Sequence, residues 1–540
     1  MFTQLRTTLT VLAAGAALTL FCGAAVSGCG RNDGSDSADT SRKLVILHTN
    51  DTHSQIDPTD KNLGGIMRRK AAIDSIRGIY DNVLLVDAGD MVQGTLYFYL
   101  YGGAVEQEAF NLLGYDEGIL GNHEFDNGID SLASILRLRD RKLISSNYIT
   151  EGTPLDTLFV PYSVREYGGK KIGIMGINLD PEGIIVRENY EGLGFMPIVA
   201  TANATAAKLR QEEGVDAVIA LTHIGYAPAG LVGDSILAEN SRGIDIIVGG
   251  HSHDTIDPAT ERGAARSHRT NLDGKDVLVV QTGKSGVNLG KIEIDLDSLG
   301  LGGHPRYELI KIDPSLDGRE DPQVRALIDR YYPGVDSLMH DWIGTAPEAL
   351  PASSTELLNF FADWVKERGE KLAGNVDLAI VNKGGLRASI PEGRFSKGHI
   401  INMLPFRNYI TVIDLKGSDL LSVFEVMAST AGNGVSDDTH ARYRHQGDST
   451  VLAGTPIIDG RPLNPDRTYR VATIDYLAKG NDYMTAFRRG TKVADSDKWV
   501  YDELLDYFIS GEGHGRPLTG DDDPRWTSAD SDDDDNEDND

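Results

Sequence analysis

The sequence predicts an α/β protein in which a layered βαβ sandwich is followed by a second, smaller α+β or α/β domain. Three observations predict it. Short apolar runs alternate with amphipathic ones from about residue 43 to residue 295. A turn-rich break follows, and then a fresh set of strand and helix patterns begins. At 540 residues, with 40% hydrophobic and 25% charged residues, the chain is ordinary globular protein long enough for two cores.

The N-terminus reads as an export signal. Arg6 gives a positive start, and TLTVLAAGAALTLFCGAAVSG gives the apolar stretch. It ends VSGC, which resembles a bacterial lipoprotein signal; residues 1–28 are then removed and Cys29 is lipidated. An uncleaved membrane helix or an ordinary signal peptide is the alternative. Residues 29–42 are a flexible polar tether. The implied location is outside the cytoplasm, on a bacterial membrane, with no membrane contact except the lipid. Both cysteines lie in the first 30 residues, so the folded body has no disulfide framework.

Within the first domain, predicted over 43–300, the runs KLVILHT, NVLLVDA, EGILG, KLISSN, KKIGIMGIN, DAVIALTH, DIIVGGH and DVLVVQTG read as buried strands. ATAAKLRQEEG (204–214) reads as helix with Gly214 as its C-cap. Residues 301–345 read as a linker containing the helix DPQVRALIDRYYPGVDSLM. In the second domain, 346–520, TELLNFFADWVKERGEKL is an amphipathic helix, and VDLAIVN, YITVIDL and TYRVATID are strands. The segment 521–540 is expected to be a disordered acidic tail.

Net charge is −29, and the last twenty residues hold eleven acids and one Arg. The remaining excess of acid still excludes a nucleic-acid duplex as partner, because phosphate neutralisation needs basic patches.

The chemistry sits at strand ends. Five strands run into HTNDTH, DAGD, GNHEFD, LTHIG and GGHSH, and so deliver Asp51 and His53, Asp87 and Asp90, Asn122 and His123, His223, and His251 and His253. Ligands bind outside the carboxyl ends of strands in α/β sheets. Each piece alone is compatible with a turn; together they form a set of carboxylate, imidazole and amide oxygen suited to Zn, Mn, Fe, Co or Mg. Asp87 and Glu124 read as structural or turn residues, and Gly121 as allowing a sharp exit from its strand. Asp126 suits an N-cap for the helix that follows.

These motifs resemble the calcineurin-type metallophosphoesterases, and HTNDTH with GNHEFD resembles their 5'-nucleotidase branch. The resemblance implies two divalent ions. Asp51, His53 and His253 hold one, Asn122, His223 and His251 the other, and Asp90 bridges them. In some relatives Gln stands at the position of His253. The ions share a hydroxide that attacks phosphorus. His123, paired with Asp126, stabilises the developing charge or protonates the leaving oxygen.

The second domain carries AIVNKGGLRASI, similar to the Asn-x-Gly-Gly-x-Arg element of the 5'-nucleotidase C-terminal domain, with Lys383 in place of the first Gly of the usual triplet. By resemblance Asn382 and Arg387 contact substrate. LPFRN resembles the family's Leu-Pro-Phe-Gly, making Phe406 one wall of a base clamp, with Arg407 where Gly is common. The second wall falls in DYLAKGNDYM, where Tyr483 or Met484 covers the base and Asp482 meets the ribose or makes a turn; the usual aromatic register is broken there.

The expected function is hydrolysis of nucleotide phosphate esters. Alternatives are a 2',3'-cyclic phosphodiesterase with 3'-nucleotidase activity, a UDP-sugar hydrolase, or a non-enzymatic surface binding protein on the same fold. Oligomeric state is open.

Overall fold

The computed structural model describes residues 40–228, 230–299, 305–352, 354–430, 433–446 and 449–530. The export signal, Cys29 and the last ten residues lie outside the described residues.

Two sheets build the first domain. The first contains β1 (Lys43–Thr49), β2 (Asn82–Asp87) and β3 (Glu117–Gly118), all parallel. The second contains β4 (Tyr162–Tyr167), β5 (Lys170–Asn178), β6 (Ala217–His223), β7 (Ile246–Val248) and β8 (Asp276–Thr282), in the order β8-β7-β6-β5-β4; β4 is antiparallel at one edge, and the short strands Thr255–Ile256 and His268–Thr270 pair antiparallel with β8 at the other. The chain then returns to the first sheet as a hairpin, β9 (Asn288–Asp295) and β10 (Arg306–Lys311), which completes the order β10-β9-β1-β2-β3. Residues 306–311, expected in the linker, therefore belong to the first sheet.

Alternation decides the layers. From β1, Leu44 and Ile46 face β6 residues Ile219 and Leu221 and β7 residues Ile246 and Val248 across a largely apolar inter-sheet layer. Val45 and Leu47 face the opposite way, into a layer with Ile73 of α1 (Ile66–Arg77) and Phe110 of α2 (Ala104–Leu113). This period of two is why the strands read as continuous apolar runs: both faces are covered. On the far side of the second sheet lie Leu132 of α3 (Ile129–Leu136), Ala202 and Ala206 of α4 (Ile198–Lys208) and Leu237. The α4 backbone continues through a π-turn at Leu209–Glu213 and stops at Gly214, whose φ of 68° is the left-handed conformation a C-cap needs. The runs 117–121 and 142–147 form only two-residue strands, Glu117–Gly118 and Leu143–Ile144.

The connecting helix α5 (Pro322–Met339) starts as its sequence requires, with Asp321 accepting from the backbone of Gln323 and Val324 and Pro322 at the first position. The second domain packs α6 (Thr355–Ala373) against a mixed sheet of β11 (Leu378–Asn382), β12 (Tyr409–Lys416), β13 (Asn433–Val435), β14 (Thr468–Ile474) and β15 (Thr491–Trp499), ordered β13-β11-β14-β12-β15.

The acidic segment departs from expectation at its start. Trp526–Ser528 adds a parallel strand to Thr439–Gln446. The Trp526 ring stacks near Phe424 and Tyr443, at centroid distances of 6.2 and 6.3 Å. Arg525, 2% exposed, donates to both Asp363 oxygens at 2.7 Å and pairs with Asp521. Composition hid this because one Arg gathers the acids and one Trp supplies the apolar contact.

Candidate metal centre and substrate cleft

The sandwich brings the strand ends together at one edge. β1 and β2 deliver Asp51, His53 and Asp90, and the loop after β3 delivers Asn122. The facing sheet delivers His223, His251 and His253. Asp51, His53, Asp90, His251 and His253 all adopt positive φ, between 48° and 76°. Non-glycine residues rarely do so, and each costs on the order of 1 kcal/mol. Tight loops hold them there. Asn50 donates to Asp51 Oδ2 (2.6 Å) and to the Gly283 carbonyl (2.8 Å), and the amide of Ser285 donates to the Asp51 carbonyl (2.7 Å).

Three donor groups converge: Asp51 with His53 and His253, Asp90 with His223 and His251, and His53 with Asp90 and His123, each with donor atoms within 4.8 Å of one another. His53 Nε2 and His253 Nε2 face each other at 2.8 Å, and Asn122 Oδ1 lies 2.8 Å from His251 Nδ1. His223 Nδ1 donates to the Ala88 carbonyl at 2.7 Å, which frees Nε2. That buried Nε2 has no hydrogen bond and lies 3.2 Å from Asp90 Oδ2. A buried nitrogen without a hydrogen bond among carboxylates, with no thiolate near, fits a divalent ion. Burial holds His251 down to about 4 and His53 well below the usual imidazole range, so both are in the neutral, ligating form.

His123 is placed differently. Its backbone N–H donates to Asp90 Oδ1 (2.9 Å), its Nδ1 meets Asp126 Oδ2 (2.9 Å), and its Nε2 lies 4.0 Å from Asp90 Oδ2. Burial lowers its pKa, but Asp126 and Asp90 outweigh that and raise it. Asp126 also accepts from Gln93 Nε2 at 2.8 Å. It is not the N-cap of α3, a place taken by Gly128. Gly121 is required for closeness rather than for a sharp turn, since its φ is not left-handed and a Cβ there would sit 2.2 Å from Asp90 Oδ1.

Glu124 is more than the turn residue its sequence context suggests. Its buried carboxylate accepts three backbone amides, from Gly121 (2.6 Å), Met91 (2.8 Å) and Asp90 (3.2 Å), and so ties the loop bearing Asp90 to the loop bearing Asn122. Gln93 and Asn50 were also missed; only their adjacency to ligand motifs marks them.

A cleft of about 1080 Å³ runs from this cluster to the second domain. Arg387, in the loop after β11, reaches back so that its Nη2 lies 3.2 Å from both ring nitrogens of His53. Phe406 stacks on His123 (centroids 5.6 Å apart, planes 29° apart). Asn382 donates to Asp482 (2.8 Å), which also accepts from the Tyr476 hydroxyl (2.8 Å). Asp482 and Tyr483 both have left-handed φ, 52° and 61°, and Tyr483 lines the cleft beneath Gly183. Met484 does not line the cleft: it is fully buried in the second domain's core. Left-handed backbone at 482 and 483 turns Tyr483 outward and the next side chain inward.

The fold and the cluster define a two-metal phosphoesterase. Residues 44–255 match the family described as Calcineurin-like phosphoesterase, and residues 342–489 match 5'-nucleotidase, C-terminal domain. The human 5'-nucleotidase is 30% identical over 489 residues, covering 82% of this chain and 83% of that protein. The Bacillus subtilis trifunctional nucleotide phosphoesterase YfkN is 26% identical over 501 residues, covering 84% of this chain and 33% of that longer protein. The solved structure of a 5'-nucleotidase precursor from Thermus thermophilus superposes with a TM-score of 0.78 at 28% identity, covering 90% of this chain and 99% of that one. The chain belongs to the 5'-nucleotidase family of metallophosphoesterases, hydrolases that work with two divalent metal ions.

Proposed function

We propose that the protein removes phosphate from nucleotides outside the cytoplasm, anchored to a bacterial membrane by a lipid on Cys29. The observation that carries the nucleotide reading is the convergence of Arg387 and Phe406, from the second domain, on His53 and His123, from the first.

Asp51, His53 and His253 would hold one ion and Asn122, His223 and His251 the other, with Asp90 between the two groups. When bound, the ions supply Lewis-acid stabilisation and activate water near neutral pH. Arg387 clamps phosphate oxygens with its planar fork. Asp126 keeps a proton on His123 Nδ1, so that Nε2–H is free to donate to a phosphoryl oxygen or to the leaving oxygen as negative charge develops. Phe406 and Tyr483 bound the nucleoside, and Asp482, set by Asn382 and Tyr476, meets the ribose.

The test is phosphate release from AMP, 2',3'-cyclic AMP and UDP-glucose by metal-reconstituted protein. Turnover of AMP well above the other two is expected. No release from any of them removes the enzymatic reading and leaves a surface binding protein. For location, globomycin-sensitive processing and loss of membrane association in Cys29→Ser are expected; no change in either removes the anchor.

A further inference from the structure

Asp126 is held by more than His123. Its Oδ2 accepts from Gln93 Nε2 at 2.8 Å, and the same oxygen meets His123 Nδ1 at 2.9 Å. At the other end of the residue, Asn189 Nδ2 donates to the Asp126 carbonyl oxygen at 3.2 Å. Gln93 is buried, yet it lines the cleft wall beside Asp126 and His123. Its own loop orients its amide. Oε1 accepts from the backbone N–H of Gly94 at 2.9 Å, which leaves Nε2 as the end that faces the carboxylate.

The loop that carries Gln93 is fastened to a ligand loop. The amides of His53 and Ser54 donate to the carbonyls of Asp90 and Met91 at 3.0 and 2.8 Å, and Thr95 Oγ1 donates to the Ser54 carbonyl at 2.9 Å. Gln93 itself has a φ of 71°, in the left-handed region. That conformation costs a non-glycine residue about 1 kcal/mol, and glycine would adopt it freely. A glutamine held in glycine's conformation, with both ends of its amide bonded, is there for its side chain.

His123 needs such a hold. Stacking on Phe406 sets the tilt of its ring but not which edge points at the reacting atoms. The bond from Nδ1 to Asp126 sets that. The Asp126 side chain is partly exposed in the cleft, and the Arg387 guanidinium lies near enough to feel its charge. A carboxylate there has a cation to turn to. Gln93 answers this with a neutral donor: it fixes the carboxylate in place and leaves the negative charge to the imidazole, where a Lys or Arg would draw that charge to itself.

Resting on the reading of His123 as the group that moves the proton, we infer that Gln93 is a positioning residue for the reaction, the third member of a Gln93–Asp126–His123 relay. It acts through Asp126 alone: it touches no reacting atom and holds no ion.

The experiment measures kcat and KM for AMP, with metal content by elemental analysis, on the full metal-reconstituted chain as wild type, Gln93→Met, Asp126→Asn and the double variant. Methionine keeps the length of the side chain and removes the donor. Gln93→Met is expected to lower kcat about tenfold, with KM within twofold of wild type and metal content unchanged. In the Asp126→Asn background the same change is expected to alter kcat less than twofold, because nothing is left to position. A kcat within twofold of wild type in Gln93→Met overturns the inference. So does an equal loss in both backgrounds, which gives Gln93 an effect independent of Asp126, and so does a loss of metal or a change confined to KM, which assigns the effect to the loop or to binding. Each of these leaves the reading of His123 and Asp126 standing as long as Asp126→Asn lowers kcat. An Asp126→Asn variant with wild-type kcat overturns that reading and this inference with it, as does a wild type that releases no phosphate from AMP.

Discussion

At the residue scale, His123 and Asp90 separate two kinds of loss. His123→Ala is expected to lower kcat by about 10²–10⁴-fold while the protein keeps its metal, since on the proposed assignment the imidazole moves a proton and holds no ion. Asp90→Ala is expected to lose both activity and metal, which elemental analysis of the purified variants distinguishes. His48 gives a pH dependence of known sign. Its ring lies between the sheets against Gly290, where a Cβ would come within 2.0 Å of Nε2, and neither ring nitrogen has a partner. Burial pulls its pKa from 6.5 to about 3. Between those values the unfolded chain holds the extra proton, so stability falls as pH falls, by up to about 1.4 kcal/mol per unit from this one group. In denaturant titrations at pH 7, 6 and 5, His48→Leu should therefore lose less stability on acidification than wild type does. The ligands themselves were legible because Asp, Asn and His at the ends of apolar runs form a pattern. Glu124 was not, because nothing in GNHEFD says its carboxylate turns back onto backbone amides.

Elements explain the rest of what the sequence concealed. Strand β10, RYELIK, looked like linker because it lies at a sheet edge and is only half-buried along its length. The stretch around Trp526 looked disordered because its contacts are with residues far away in sequence. Deleting residues 521–540 is expected to destabilise the second domain by about 1–2 kcal/mol, since Trp526 and its ring contacts with Phe424 and Tyr443 are lost. Thermal unfolding of the truncated chain checks this; an unchanged midpoint removes the docked segment from the fold's energetics. Glu124 joins two loops of the first sheet's edge, and Glu124→Gln, which sets an amide NH2 against a backbone N–H donor, should weaken metal affinity roughly 10–100-fold, measured by competition with a chelator, and lower the unmetallated protein's stability by about 1–3 kcal/mol.

Across the whole molecule the proposed ligands are divided between two sheets whose contact is mostly apolar, with Glu117 of the first bonded to Ser163 and Arg165 of the second. Asp51, His53, Asp90 and Asn122 come from one, and His223, His251 and His253 from the other. Ions that bind the folded chain alone stabilise it by mass action, about 2.7 kcal/mol at one hundred times Kd. Chelation is accordingly expected to lower the melting midpoint by several degrees, and Asp90→Ala to abolish the difference. The sequence disclosed which side chains gather, but not that they do so across an interface, because apolar runs name buried strands without naming their sheet. The division also sets an order of events during folding. Neither sheet owns a complete ligand set, and the first is not finished until β9 and β10 return to it from beyond the second. Metal uptake must therefore trail the docking of the two halves. The moment at which a refolding chain begins to retain metal is a clock for that docking, readable without any label on the protein.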